Sequence, residues 1–407
     1  MHRLRSVSLC FALLAAALPR LALADDCFEK RGDEQIAACN AQLQAKQTPS
    51  DQAISLNNRG NAYAAKGDLD HAIADYNQAI SLDPKYPKAY HGRAILYKNR
   101  GDLDRAVADY SQAIALDPKY SIAYNNRGVA YEGRGDLDRA IADYSQAISL
   151  DRKYVGAYSN RGNIYKARGD FDRAIADYNQ AISLDPKFAV AYNNRGAAYA
   201  AKGDLDRAIA DYGQAIGLDP KYVFAYGNRG NMFRDKGEFD RAIADYDQAI
   251  SLDPKNIKSY FNRGVANLYA GSLPKALADL NQYSASDPHD PYGALWLEVV
   301  NQRSNLPSRL EGMVTPIDMT RWPAPVIRLF LGQSTPDAVL AAADHPGSYM
   351  KAVQVCEANF FSGELALSKG SKDDAARLFR LAAESCPPDL TEWSTAHFEL
   401  KALEAGK

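Results

Sequence analysis

Polar and apolar side chains alternate along most of this chain with a helical rhythm that keeps restarting. In NNRGVAYEGRGDLDRAIADYSQAISL, residues 125–150, small and apolar residues return at three- and four-residue steps on either side of Gly135-Asp136. That spacing keeps them on one face of a helix, so the stretch predicts two short antiparallel helices joined by a tight turn. With Ala53 as position 1, the unit returns every 34 residues as far as Asp290, seven times, without insertion or deletion.

Each position carries a physical instruction. Aspartates after the turn glycine, such as Asp136 with Asp138 and Asp204 with Asp206, are expected to cap the second helix and favour its positive end. Proline at position 32 stops that helix. Small residues at positions 8, 20 and 27 let helices approach, and tyrosines at 4, 11 and 24 fill the space between them. Of 25 tyrosines, 21 stand at positions 4, 11, 24 or 34, so the aromatic richness reads as packing and not as a base-stacking platform. Arginine recurs at position 7 (Arg59, Arg93, Arg127, Arg161, Arg195, Arg229, Arg263) and aspartate at position 23, which predicts a ladder of ion pairs within or between units.

Tyrosine at position 4 in six units, glycine near 8, tyrosine near 11, alanine at 20 and proline at 32 together resemble the tetratricopeptide repeat. The resemblance implies an all-α fold, a right-handed TPR α-solenoid of antiparallel helix pairs. No single pair buries its apolar surface alone, so neighbours stack and leave a concave face.

The ends differ from the middle. Residues 1–24 have the order of a secretory signal: Arg3 and Arg5, an apolar stretch from Val7 to Leu18 too short to span a bilayer, and a small-residue cleavage site at Ala22-Leu23-Ala24. No lipid anchor is expected, because Cys27 follows Asp25 and Asp26 where a lipobox needs small uncharged residues. Residues 25–52 read as an N-terminal capping half-repeat, 53–290 as the seven repeats, and 291–350 as an irregular helical region containing PYGALWLEVVNQR and APVIRLFLG. Residues 351–407 return to frame as a last repeat and a capping helix, TEWSTAHFELKAL. Cys27 with Cys39 and Cys356 with Cys386 flank turns, and neither spacing is that of a zinc ribbon or a redox CxxC, so both pairs read as disulfides of an exported protein, periplasmic or secreted.

The formal charge is −2, and about −5 once the three arginines of residues 1–24 are gone, which speaks against a nucleic-acid partner. No later segment is apolar enough for membrane insertion. His71, His91, His289, His345 and His397 lack metal-ligand spacing, and no nucleophile elbow, phosphate loop or HExxH is present, so neither catalysis nor a metal or other cofactor is expected.

In tetratricopeptide repeats, positions 2, 5, 6, 9, 12 and 13 of the first helix face the concave side. Here position 6 is Asn58, Asn126, Asn160, Asn194, Asn228 and Asn262, with Gly92 the exception. Position 5 adds Asn57, Asn125 and Asn193, and position 9 adds Asn61, Asn163 and Asn231. An amide offers donor and acceptor together, so such a row can pair with the N–H and C=O of an extended peptide; the plainer reading is that it only solvates the helices. The clamp for a C-terminal carboxylate needs Lys or Arg at positions 2, 5 and 6, and only Lys88 and Lys258, both at position 2, are present.

RWPAPVIRLFLGQSTPDAVLAAA, CEANFFSGELALSKGSKDDAARLFRLAAES and WSTAHFELKAL together resemble the tail of NlpI-type bacterial lipoproteins. That resemblance implies a periplasmic, homodimeric adaptor whose protein partners are cell-wall hydrolases or proteases. This chain lacks the lipobox of those proteins, and its regular array is longer. The expected function is a non-enzymatic protein-binding scaffold or adaptor. The alternatives are a general chaperone-like receptor for extended chains and a structural homo-oligomer acting through its ends.

Overall fold

A computed structural model describes residues 27–405 apart from residue 389; the signal segment expected at 1–24 lies outside the described residues. The described residues form helices and no strand, in two compact units divided between Asp170 and Phe171.

The first unit opens with α1 (Gly32–Gln44), followed by α2 (Pro49–Ala65), α3 (Leu69–Leu82), α4 (Pro87–Asn99), α5 (Leu103–Leu116), α6 (Ser121–Gly133), α7 (Leu137–Leu150) and α8 (Val155–Ala167). Helices α2/α3, α4/α5 and α6/α7 pack as antiparallel pairs, and α1 packs on α2. Each pair turns on a glycine, Gly67, Gly101 or Gly135, whose φ of 78–81° lies in the left-handed region that a side chain disfavours. Asp68, Asp102 and Asp136 then cap the second helix, accepting from the backbone N–H of residues 71, 105 and 139.

Tyrosine at position 24 and glycine at position 8 interlock. Tyr76, Tyr110 and Tyr144 are buried, and a Cβ on Gly128 would fall 2.7 Å from the Tyr144 ring. Gly92, which interrupts the asparagine row, has the same cause: a Cβ there would lie 2.7 Å from the ring of Tyr76 in the preceding pair. Besides the contacts within pairs, first helices approach one another, α2 to α4, α4 to α6 and α6 to α8. They form the inner layer of the unit and the second helices the outer one. Cys27 and Cys39 form a disulfide over α1.

The second unit continues with α9 (Phe171–Leu184), α10 (Ala189–Ala201), α11 (Leu205–Leu218), α12 (Val223–Asp235), α13 (Phe239–Leu252), α14 (Ile257–Tyr269), α15 (Leu273–Ser286) and α16 (Pro291–Arg303). Short helices α17 (Leu310–Met313), α18 (Ala324–Phe330) and α19 (Pro336–Ala342) follow, with a cis peptide at Trp322-Pro323. A hairpin of α20 (Ser348–Ser368) and α21 (Lys372–Ser385) and the last helix α22 (Thr391–Ala405) complete it. A Cβ on Gly363 would fall 2.8 Å from the ring of Phe379, the same relation that position 8 has to position 24 in the array. Helix α20 begins at Ser348, so the 350/351 boundary falls inside it, and it is longer than a repeat's first helix. The Cys356–Cys386 disulfide ties α20 to the C-terminal end of α21, with Cα atoms 4.7 Å apart.

These last elements enclose the largest core of the molecule, built on Trp296, Phe360, Phe361 and Phe379. Instead of extending away from the stack, α22 turns back onto α12. Phe398 of α22 packs against Phe239 and Tyr269, with ring centroids 5.1 and 5.7 Å away.

Candidate functional site

The arginine ladder exists and is two-sided. In six repeats, Nε and Nη2 of the position-7 arginine donate to both oxygens of the position-23 aspartate of the same repeat, at 2.6–2.9 Å. Nη1 reaches the second helix of the preceding repeat, where it finds Asn77 from Arg93, Ser111 from Arg127, Ser145 from Arg161, Asn179 from Arg195 and Asp247 from Arg263. One planar guanidinium thus ties three helices, a geometry lysine cannot supply. The aspartates are buried and the arginines half-buried. The hydrogen bond to aspartate raises the arginine pKa in each of these repeats, which keeps the guanidiniums charged. Held this way, the arginines serve the stack and are not offered to a ligand.

A second ladder runs along the turns and corrects one expectation. Only the first aspartate after the glycine caps the helix. The second, at position 18, pairs with the cation at position 14 of the next repeat: Asp70 with Arg100, Asp104 with Arg134, Asp138 with Arg168, Asp206 with Lys236. These carboxylates are more than four-fifths exposed, so solvent screens the pairs and they add little to stability.

The asparagines fall into two layers. At position 5, Asn125 and Asn193 are buried and support the amides around them. Asn125 Nδ2 donates to Asn126 at 3.3 Å and its Oδ1 accepts from Asn160 at 3.2 Å. Asn193 does the same for Asn194 at 3.2 Å and Asn228 at 3.0 Å. The position-6 amides are half-buried on the inner layer, and each uses at least one half of its hydrogen-bonding capacity inside the protein. Asn58 accepts from Asn57, Asn160 and Asn228 donate to the buried amides, and Asn262 accepts from Arg234 at 3.4 Å. Asn126 uses both, its Nδ2 donating to His91 Nε2 at 3.0 Å. Burial and the nearby charge of Lys98 push His91 down to about 4, so it is neutral and fit to accept that bond. At position 9, Asn231 accepts the hydroxyl of Tyr246 at 2.8 Å, and Asn163 is half-buried on α8. A two-handed grip by one asparagine on a peptide backbone is therefore not preformed. What remains for a ligand is Oδ1 of Asn160 and Asn228 and Nδ2 of Asn58, beside exposed apolar residues at position 2: Ile54, Ile122, Val190 and Phe224.

Around Arg234 on α12, Tyr269 on α14 and Arg303 on α16 the chain's own tail packs in. Arg234 at position 12 is buried, holds Asp235 at 3.0 Å and faces the charge of Glu392 on α22. Arg303 is shared by Glu364 at 2.7 Å and Glu399 at 2.6 Å. Trp296 Nε1 donates to Glu392 at 3.3 Å, and Glu357 accepts from the Tyr292 hydroxyl at 3.0 Å and from the Trp322 indole. Desolvation raises Glu357 to about 8 and Glu364 to about 7, the latter despite Arg303, because two carboxylates share one guanidinium. Glu392 is raised as well, for the same reason of burial. This network lies outside the repeat period, and the sequence reading did not anticipate it.

Family models described as TPR repeat match residues 60–101, 162–203 and 230–271, and others described as tetratricopeptide repeat match 91–154 and 189–222. The chain carries tetratricopeptide repeats. Among solved structures, MamA is 30% identical over 40% of this chain and 95% of its own, with a TM-score of 0.38. YrrB, described as a TPR protein with an unusual peptide-binding site, is 23% identical over 46% of this chain and 95% of its own, with a TM-score of 0.40. A tetratricopeptide repeat protein from Parabacteroides merdae is 23% identical over 62% of this chain and 99% of its own, with a TM-score of 0.47. The matched tetratricopeptide repeats end at residue 271, before the block that carries the buried carboxylates.

Proposed function

We propose that this protein is a non-enzymatic scaffold that holds extended segments of partner proteins against the inner layer of its repeats. The supporting observation is the half-used amide row: Asn58, Asn160 and Asn228 sit on first helices, are held in place by a hydrogen bond on one side, and keep the other side for a ligand. Amides so fixed lose little further freedom on binding, and they read backbone, which every partner has. Repeats 6 and 7, covered by α22, contribute less of this surface than the earlier ones.

The resemblance of the tail to NlpI-type proteins supports a periplasmic adaptor for cell-wall hydrolases or proteases, working as a homodimer. Two disulfides fit an oxidising compartment. No described helix is long and apolar enough to cross a membrane. The test is a pull-down from envelope extract with wild type and with Asn58, Asn160 and Asn228 all changed to Ala. Loss of one defined partner supports the adaptor, and loss of many supports a chaperone-like receptor. Full retention of every partner assigns binding to the ends of the molecule and ends the groove reading.

A further inference from the structure

In the first unit the cations of the helices are matched by carboxylates in register. Arginines at position 7 have aspartate 23, those at position 14 have aspartate 18 of the preceding repeat, and those at position 19 pair with the capping aspartate, as Arg105 does with Asp102. Three lysines break this pattern. Lys88 and Lys98 on α4 and Lys166 on α8 form no ion pair among the described residues, and they stand at positions 2 and 12, on the first-helix face that carries the asparagines. The carboxylate in the position-12 row is Glu132, which accepts the Tyr144 hydroxyl at 2.7 Å. His91, the other titratable group on this face, is neutral. The face is therefore net positive in a chain whose formal charge is −2. Lys166 is half-buried with no anion to offset its desolvation, which pushes its pKa down.

We propose that this face binds an extended acidic segment of a partner protein, with acidic side chains meeting Lys88, Lys98 and Lys166 while Asn58 and Asn160 hold its backbone. The proposal rests on the scaffold reading above and names the chemistry of its ligand. Charge complementarity supplies the choice: a half-buried unpaired cation gains most from a carboxylate that arrives with it into the same desolvated place. The exposed Ile54 and Ile122 at position 2 suit apolar residues interspersed among the acids. A nucleic acid fits less well, because the position-24 tyrosines are buried in packing and the arginines that would fork onto phosphate are committed to aspartate.

The probe is a fluorescein-labelled peptide of about twelve residues in which glutamate alternates with valine and serine, long enough to run along several first helices at about 3.3 Å per residue. Anisotropy with the full chain should show binding that weakens steeply with salt, and Lys98→Gln with Lys166→Gln should weaken it about tenfold or more at an unchanged melting temperature. If that variant fails to fold, Lys98→Glu with Lys166→Glu should prefer the peptide in which lysine replaces glutamate. Equal affinity for a glutamine-for-glutamate peptide, or no effect of the lysine changes, overturns the acidic preference and leaves the scaffold reading standing. Equal affinity for an oligothymidylate of the same charge overturns it in favour of a general polyanion surface. Absence of binding by every peptide counts against both readings.

Discussion

The stacked array of the first unit and the C-terminal block of the second handle buried charge in opposite ways. In the array each half-buried arginine meets one aspartate with two hydrogen bonds, so charge is neutralised pair by pair and the pattern can be repeated indefinitely. In the block, Glu357, Glu364, Glu392 and Glu399 are buried with fewer guanidiniums than carboxylates, and indole and phenol donors make up part of the difference. A periodic surface can reuse one rule; a unique core solves a unique problem.

The largest expected effect tests that contrast directly. Arg303→Met leaves Glu364 and Glu399 buried without their cation and should cost about 3–5 kcal/mol at neutral pH. Denaturant unfolding measures it, and a neutral outcome means the block tolerates bare carboxylates. The same region has a pH signature. Glu357 and Glu364 titrate higher in the folded chain than the ordinary 4.5, so the folded state holds extra protons between about pH 4.5 and 8. Their stabilising contribution is full below that window and is lost as pH rises through it. Asp68 and Asp102 in the array are depressed by hydrogen bonds from residues three positions on, so theirs is present above the ordinary carboxylate value and is lost as pH falls through their lowered ones. Hydrogen exchange followed by peptide should therefore show residues 351–405 gaining protection from pH 8 to 5 while residues 121–150 do not.

Within the array, Arg127→Leu strands the buried Asp143 and should lose about 2–3 kcal/mol, read as a lower melting temperature; an equal or higher value means the ladder does not stabilise the stack. Gly92→Asn would complete the asparagine row but drive a Cβ into Tyr76, at a cost of about 1–3 kcal/mol. The smallest contrast separates two neighbours. Asp136→Ala, losing a cap, should cost about 1 kcal/mol, and Asp138→Ala, losing an exposed pair with Arg168, less than that. If the two costs are equal, the division of labour between those aspartates is wrong.

The repeat made the array readable before any coordinates. Alanine holds position 20 in all seven copies, and glycine at position 8 and tyrosine at position 24 recur in six each, so one packing solution is reported many times over. The arginine–aspartate pairing was legible for the same reason: positions 7 and 23 vary in none of the copies. Gly92 reads as a gap until Tyr76 is seen beside it, since the clash crosses from one repeat to the next. The lysines at position 12 were missed although a signal existed, namely cations without an acid at a fixed offset. The fold-back of α22 had no such signal. Phe398, Glu392 and Glu399 find Phe239, Trp296 and Arg303 across roughly a hundred residues or more, and one copy of a contact leaves no period.

Residue 213 is glycine where other repeats place asparagine, serine or aspartate, so Arg229 meets no side chain at the position that Arg93, Arg127 and Arg195 grip in the repeat before them. In a molecule whose cohesion is a chain of nearest-neighbour links, the junction of α11 and α12 is the weakest seam of its kind. Pulled from its ends, the stack should begin to unzip there.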